Sequence, residues 1–171
     1  LYCSSISRIC ASVSRGVAPS AVPIRAAETM QKAFAHLKPL LEKSRGPEER
    51  PVIVMATVEG DIHDIGKNIV CLLLGNHGFD VIDAGKDVPA EQIVACALEH
   101  KARIIGLSAL MTTTMVRMED TIRLVRERNL PIKVLVGGAA VTQAFADAIG
   151  ADAYCEDAVS AVRAAKQFVT G

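Results

Sequence analysis

Residues 51–68 decide the fold, and they read PVIVMATVEGDIHDIGKN. The first part is a nearly continuous apolar run, Val52–Val58, of the kind that a parallel sheet buries on both faces. A polar loop bounded by glycines follows at Gly60–Gly66, and a helical apolar pattern runs from Ile65 to Asn76. Strand, loop and helix in this order predict a βα unit.

The same alternation continues to the end of the chain and predicts five βα units in a row. The predicted strands are Val52–Val58, Phe79–Asp83, Arg103–Leu107, Lys133–Val136 and Ala153–Cys155. The predicted helices are Ile65–Asn76, Ala90–His100, Met115–Arg128, Thr142–Ile149 and Val159–Val169. This pattern predicts an α/β fold with a doubly wound, parallel, five-stranded sheet. In the flavodoxin-like order 2-1-3-4-5, ligands bind beyond the carboxyl ends of strands 1 and 3.

The first 50 residues differ from the remainder. Residues 1–24 are rich in Ser and Arg and lack acidic residues, which predicts a disordered or artefactual segment, with an organelle transit peptide as the alternative. Residues 25–50 contain an amphipathic helix over about 26–42 and a polar linker with Gly and Pro. Residues 51–171 are therefore predicted to form the main domain.

Composition excludes several classes of partner. Lys and Arg together number 19, as do Asp and Glu, so the chain has no basic surface for nucleic acid or an anionic membrane. No apolar stretch approaches the roughly 20 residues of a membrane span. The five cysteines are scattered without a Cys-x-x-Cys pair, which argues against a disulfide framework or a zinc site and favours a cytoplasmic location.

The loop after the first strand contains a candidate metal ligand. Asp61 and His63 are close enough for the carboxylate to accept a hydrogen bond from one imidazole nitrogen, leaving the other as a lone pair for a metal. A loop histidine beside a helix-capping aspartate remains the alternative. The other histidines, His36, His77 and His100, lie on different predicted elements. A single histidine suits a metal whose remaining ligands come from a macrocycle.

Two further loops lie at the same predicted edge of the sheet. The segment Ser108–Thr114 contains four hydroxyl side chains, which could bind a ligand or cap the following helix. Gly137-Gly138-Ala139 follows the fourth strand and lacks bulk, so it could form a tight turn or a floor beneath a long ligand.

Together these pieces resemble the cobalamin-binding domain of methionine synthase and of the small corrinoid proteins of methylotrophic methyltransferase systems. The resemblance runs from about Ala26 to Phe168 and is strongest in Gly-Asp-Ile-His-Asp-Ile-Gly-Lys-Asn at 60–68, a form of the Asp-x-His-x-x-Gly motif. It implies a cobalamin or related corrinoid as the cofactor.

The resemblance also implies roles for individual residues. His63 would be the lower axial cobalt ligand, with Asp61 as its partner and Thr114 completing a relay where methionine synthase has a serine. The cofactor-binding residues implied in the first and third loops are Gly60, Asp61, Ile62, His63, Asp64, Ile65, Gly66 and Leu110. Those implied to line the slot for the cofactor's nucleotide tail are Ser108, Thr112, Gly137, Gly138 and Ala158.

The function implied is that of a carrier that shuttles a methyl group on cobalt between methyltransferases. Its implied partners are a substrate-specific methyltransferase, an acceptor methyltransferase and a corrinoid reductive activase. The helix at 26–42 would be the last helix of a truncated helical cap, which puts protection of the methyl group in doubt.

Other classes fit the residues less well. Adenosylcobalamin mutase subunits share the histidine motif but carry an arginine where Ile65 stands, and a B12-sensing module would need an effector domain. A phospho-acceptor receiver would have an aspartate at the position of Ser108. A Ser-His-Asp hydrolase would need a second glycine where Leu110 stands.

Overall fold

The computed structural model describes residues 50–170, which form a parallel sheet flanked by helices. The strands are β1 (Val52–Val58), β2 (Asp80–Val88), β3 (Ile104–Ser108), β4 (Lys133–Gly137) and β5 (Ala153–Cys155). The helices are α1 (Ile65–Asn76), α2 (Ala90–Glu99), α3 (Thr112–Met115), α4 (Arg117–Glu127), α5 (Gln143–Ala148) and α6 (Ala158–Thr170). The strand order is β2-β1-β3-β4-β5 with parallel pairing throughout, so the predicted doubly wound, flavodoxin-like fold is confirmed.

Alternation along the buried strands divides the core into two layers. In β1, Val54 and Ala56 pack on one face of the sheet, whereas Ile53 and Met55 pack on the other. The first layer includes side chains from α2, α4 and α5, and the second includes side chains from α1 and α6. Because both faces are covered there, β1 and β3 are apolar along nearly their whole length.

The structure differs from the sequence prediction in two elements. β2 continues to Val88, five residues beyond the predicted end at Asp83, through two register shifts against β1. Residues 85–87 lack apolar alternation because hydrogen bonds, rather than burial, hold them, whereas Val88 at the end of β2 is buried. Where one helix was predicted at Met115–Arg128, the structure has two. The helix α3 starts three residues earlier, at Thr112, and ends at Met115, and α4 follows at Arg117–Glu127. Between them, Glu119 N–H donates to the Val116 carbonyl at 3.2 Å.

Parallel register aligns the carboxyl ends of the strands. Thr57 lies opposite Ser108, Ser108 opposite Gly137, and Gly137 opposite Cys155. The loops after β1, β3 and β4 therefore leave the sheet at one edge, as predicted for the ligand site.

Several predictions fall outside this part of the chain. The segment 1–24 and the helix at 26–42 lie outside the described residues, and the three-part division of the chain stays a prediction. None of the helices within residues 50–170 is long and apolar enough to span a membrane.

Candidate functional site

The loop between β1 and α1 carries the predicted ligand and its partner. Val58 ends β1, and its carbonyl accepts a hydrogen bond from Asp61 N–H at 3.1 Å. Gly60 closes this turn with a φ of 81°, which glycine adopts without steric cost. The turn buries Asp61 completely, whereas 47% of the His63 side chain remains exposed.

Asp61 is the centre of the hydrogen-bond network. Its Oδ1 accepts from His63 N–H at 3.0 Å and lies 2.8 Å from His63 Nδ1. Its Oδ2 accepts from Leu110 N–H at 2.7 Å, from the Thr114 hydroxyl at 2.8 Å and from Met111 N–H at 3.4 Å. The carboxylate thus joins the β1–α1 loop to the β3–α3 loop, and it does not cap a helix.

These hydrogen bonds decide the charge of Asp61. Burial alone would raise the pKa of this carboxyl, because a buried charge loses its hydration. Bonds from the backbone N–H groups of His63 and Leu110, then from the side chains of Thr114 and His63, outweigh burial and hold the pKa well below its usual range. Asp61 is therefore ionised at neutral pH.

An ionised Asp61 sets the tautomer of His63. A carboxylate can only accept, so Nδ1 of the imidazole carries the hydrogen in the 2.8 Å contact. Nε2 then holds the lone pair, as a metal ligand requires. The Thr57 hydroxyl donates to the His63 carbonyl at 3.3 Å and holds the loop on the side facing the sheet.

Thr114 occupies the predicted third position of the relay. It is 7% exposed, and its hydroxyl lies within hydrogen-bond distance of both Asp61 Oδ2 and the Met111 carbonyl, the latter at 3.0 Å. Met111 is the N-cap residue of α3 and no side chain caps this helix, so the capping alternative for the hydroxyls does not apply to Thr114.

Exposed apolar side chains occur beside His63 in the β1–α1 loop and also in the β3–α3 loop. Ile62 is 63% exposed and Leu110 is 46% exposed, and Ile65 and Met111 are also exposed. A methyl group added at Gly66 would have no atom of the described chain within 4 Å, so space is open at the start of α1. Asp64 is the N-cap residue of α1 but makes no side-chain capping bond.

The residues implied to line a tail slot lie along the same edge. Ser108 ends β3, Thr112 begins α3, and Ala158 begins α6 just beyond β5. Close packing by itself explains why positions 137 and 138 are glycine. A Cβ at Gly137 would lie 2.7 Å from the Cys155 carbonyl oxygen, and one at Gly138 would lie 2.0 Å from the Ala109 carbonyl oxygen.

The sequence patterns did not identify three polar residues that support the loop of His63. Thr57 is a fully buried hydroxyl in an otherwise apolar strand, which was an available signal. Lys67 is 2% exposed, pairs with the Asp83 carboxylate and donates to the Gly85 carbonyl at 2.9 Å. Asp87 accepts from Gly60 N–H at 2.6 Å, and no spacing in the sequence indicates that contact.

Comparison with known proteins identifies the family. The family model described as "B12 binding domain" matches residues 51–165. The chain belongs to the B12-binding domain family. The predicted cofactor class, a cobalamin or related corrinoid, is thereby confirmed.

Relatives of this B12-binding domain include dimethylamine corrinoid proteins of Methanosarcina species. Dimethylamine corrinoid protein 1 of Methanosarcina acetivorans is 48% identical over 146 residues, which cover 84% of this chain and 68% of the relative. Dimethylamine corrinoid protein 3 of Methanosarcina mazei is 47% identical over 146 residues, covering 84% of this chain and 87% of the relative. The predicted resemblance to methylotrophic corrinoid proteins is confirmed.

Solved structures agree with this assignment. The monomethylamine corrinoid protein of Methanosarcina barkeri aligns with a TM-score of 0.73 at 36% identity, over 84% of this chain and 69% of that one. A chain of the methanol:cobalamin methyltransferase complex of the same organism aligns with a TM-score of 0.71 at 34% identity, over 86% of this chain and 57% of that one. A response-regulator receiver domain of Mycobacterium tuberculosis, at 20% identity and a TM-score of 0.54, covers 72% of this chain and 99% of its own, and it shares the fold alone.

The residues of the domain fit a corrinoid better than a bare metal. Within residues 50–170, no cluster of three or more His, Cys, Asp or Glu side chains could hold a metal ion. The site instead offers one imidazole with a free Nε2 lone pair among exposed apolar side chains. A cobalt ion already held by a macrocycle needs only such a single axial ligand.

Proposed function

We propose that this B12-binding domain carries a methyl group on a corrinoid between two methyltransferases, with His63 as the lower axial cobalt ligand. The observation that supports it most directly is the 2.8 Å contact from His63 Nδ1 to the buried Asp61 carboxylate, which leaves Nε2 as a lone pair at the ligand edge. The relatives named as dimethylamine corrinoid proteins support the carrier role.

Each group around the cofactor has a defined task in this proposal. When bound, a corrin-held cobalt would supply, as cobalt(I), a nucleophilic centre for methyl-cation transfer between the two partners. His63 Nε2 binds the metal, and Asp61 keeps the imidazole in the correct tautomer and orientation.

The remaining edge residues are proposed to hold the rest of the cofactor. Ile62, Ile65 and Leu110 offer apolar contact to the ring, and Gly66 leaves room beside it. The hydroxyls of Ser108 and Thr112, together with Ala158, Gly137 and Gly138, are proposed to line the slot for the nucleotide tail. Their position at the carboxyl ends of β3 and β4 and the start of α6 supports this assignment.

The proposed partners are a substrate-specific methyltransferase, an acceptor methyltransferase and a corrinoid reductive activase. A structural relative is a chain of a methanol:cobalamin methyltransferase complex, which supports pairing with a separate enzyme. We also propose that the predicted helix at 26–42 is the last helix of a helical cap.

The carrier role is tested with the full chain reconstituted with hydroxocobalamin and desalted. We expect an equimolar amount of corrinoid to stay bound. After a low-potential chemical reductant has converted the cobalt(III) to cobalt(I), we expect methyl transfer only when a donor methyltransferase and an acceptor methyltransferase are both added. Multiple turnovers between free methyl donor and free acceptor by the isolated protein would contradict a carrier. Rearrangement of a carbon skeleton in the presence of adenosylcobalamin would instead indicate a mutase subunit.

Replacing Asp61 by Asn is expected to weaken corrinoid binding by about 10–100-fold, the usual cost of losing an outer partner of a metal ligand. An amide offers one acceptor oxygen, so its NH₂ group would face donors that now bond to the carboxylate. Absorbance titration with hydroxocobalamin measures the effect. Asp80→Asn, at the exposed start of β2, makes the same change of charge away from the site and serves as the control.

The same variant has a predicted effect on acid stability. Because the folded-state pKa of Asp61 lies below its unfolded value of about 4, the ionised carboxylate stabilises the fold fully above that pH. This contribution is lost progressively as the pH falls below it. Asp61→Asn should therefore show a shallower loss of stability below about pH 4 than the parent chain in urea titrations. Equal slopes would contradict the proposed hydrogen-bond network.

A further inference from the structure

The bulged end of β2 contacts the His63 loop on the side opposite β3. Between Ala56 and Val58 of β1, the partner strand advances from Gly85 to Val88, so β2 contains an extra residue there. Bulges of this kind bend an edge strand and redirect its side chains, often beside functional sites. Asp87 lies within this bulge, and its backbone and side chain both reach the loop.

Asp87 holds the two residues that lead into Ile62 and His63. Its Oδ1 accepts from Gly60 N–H at 2.6 Å, and its own N–H donates to the Asp61 carbonyl at 2.9 Å. Asp87 thus makes a hydrogen bond at each end of the Gly60–Asp61 segment. The Asp61 side chain is held from the other direction by Leu110 and Thr114, so Asp61 is fixed between β2 and β3.

The backbone conformation of Asp87 needs an explanation of its own. Among residues 50–170, the non-glycine residues with positive φ are Asp87 at 54°, Lys101 at 53° and Asn129 at 50°. Lys101 and Asn129 each follow the C-cap residue of a helix, α2 and α4 respectively, where a left-handed residue commonly terminates a helix. Asp87 terminates no helix and lies inside a strand. Its left-handed conformation is instead what lets its N–H and its carboxylate face the loop together.

An ion pair between the buried Lys67 and the partly exposed Asp83 supports this conformation from the side of α1. Lys67, in the first turn of α1, pairs with Asp83 and donates to the Gly85 carbonyl at 2.9 Å, and Asp83 Oδ1 accepts from Gly85 N–H at 2.9 Å. Lys67 therefore anchors the start of the bulge to the helix that follows the His63 loop. Local strain of this type persists only where surrounding contacts over-determine it.

We propose that Asp87 is a positioning residue for His63, acting through Gly60 and Asp61 to set where the imidazole stands. This inference rests on the proposed role of His63 as the cobalt ligand. Loss of the Asp87 carboxylate should free Gly60 N–H on the β2 side, while the backbone bond from residue 87 to the Asp61 carbonyl and the contacts from the β3–α3 loop remain. The imidazole would then keep its tautomer but occupy the position for ligation less often.

The test uses the full chain with Asp87→Gly and Asp87→Asn. Glycine tolerates the positive φ and removes only the carboxylate, so the variant should fold. Asparagine keeps an Oδ1 acceptor and also adopts the left-handed region readily. We expect Asp87→Gly to reduce hydroxocobalamin affinity about tenfold, near the lower end of the effect of outer partners of a metal ligand, and Asp87→Asn to restore it. Asn129→Gly, at a left-handed position on the opposite edge of the sheet, should leave the affinity unchanged.

Two spectroscopic measurements separate positioning from a general loss of stability. Amide hydrogen exchange at Gly60 in the cofactor-free chain should accelerate in Asp87→Gly and not in Asp87→Asn, because only glycine removes its acceptor. Electron paramagnetic resonance of the cobalt(II) form should show a smaller fraction of nitrogen-ligated cobalt in Asp87→Gly alone. Parent-like Gly60 exchange and parent-like ligation in Asp87→Gly would overturn the proposal.

The measurements also distinguish this inference from the proposed function. If the parent chain shows no nitrogen splitting from His63, the ligand assignment and with it the positioning role are overturned. If the parent shows the splitting and Asp87→Gly keeps all of it, the ligand assignment stands and only the positioning role fails.

Discussion

Replacing His63 by Gly is expected to abolish the nitrogen superhyperfine splitting in the electron paramagnetic resonance spectrum of the cobalt(II) protein. Asp61 lies 2.8 Å from Nδ1 of the imidazole, so Nε2 keeps a free lone pair at the carboxyl edge of the sheet. Asp61 keeps its bonds from Leu110 and Thr114 in the variant, so the sheet edge should persist. We expect the loss of affinity to exceed the roughly 10–100-fold predicted for Asp61→Asn.

Two other histidines serve as matched controls for this variant. His77 follows α1 and His100 follows α2, so both stand at helix ends away from the carboxyl edge of the sheet. Replacing either by Gly should leave the splitting and the affinity unchanged. An unaltered spectrum in His63→Gly would show that the axial nitrogen does not come from His63, and a lost splitting in either control would assign the ligand to that histidine.

Replacing Gly138 by Ala is expected to destabilise the fold more than any other single methyl addition considered at this edge. The new Cβ would lie 2.0 Å from the carbonyl oxygen of Ala109 and 2.9 Å from its carbonyl carbon, and φ is 129°. Both atoms belong to backbone that is tied down, since Ala109 N–H donates to the Gly137 carbonyl at 3.2 Å. Strain and overpacking together should cost about 4 kcal/mol of unfolding free energy.

Gly150→Ala separates the two contributions. Gly150 has a φ of 71°, but a Cβ there would meet no atom within 4 Å, so this variant bears the conformational cost alone. Its loss of stability should be about 1–2 kcal/mol. Urea denaturation monitored by circular dichroism measures both variants. Equal losses for Gly138→Ala and Gly150→Ala would refute the close approach of β4 to the β3–α3 loop.

The fold could be predicted because its signals are local. The continuous apolar run at Val52–Val58 identifies a strand covered on both faces, and the alternation of such runs with helical periods identifies a doubly wound sheet. The contact between Asp61 and His63 was also predictable, since the residues are two apart and the turn between them is short. The place of Thr114 came from the resemblance, and the structure brings its hydroxyl to Asp61.

The full extent of β2 and the supports of the site could not be predicted in this way. Asp87 reaches Gly60 across 27 positions of sequence, and Lys67 reaches Asp83 across 16. Such contacts have no periodicity, because they depend on which strand neighbours β1 and on where that strand is bulged.

Sequence by itself therefore determined the sheet, its ligand edge and the histidine with its adjacent carboxylate. Tertiary structure alone decided what surrounds that carboxylate and hence its charge. Leu110 N–H lies 49 positions from Asp61, and it reaches Oδ2 only because β3 pairs beside β1 in parallel register. The physical reason is that strand pairing brings hydrogen-bond donors from distant parts of the chain to one buried group. A local sequence pattern does not indicate which strands will pair.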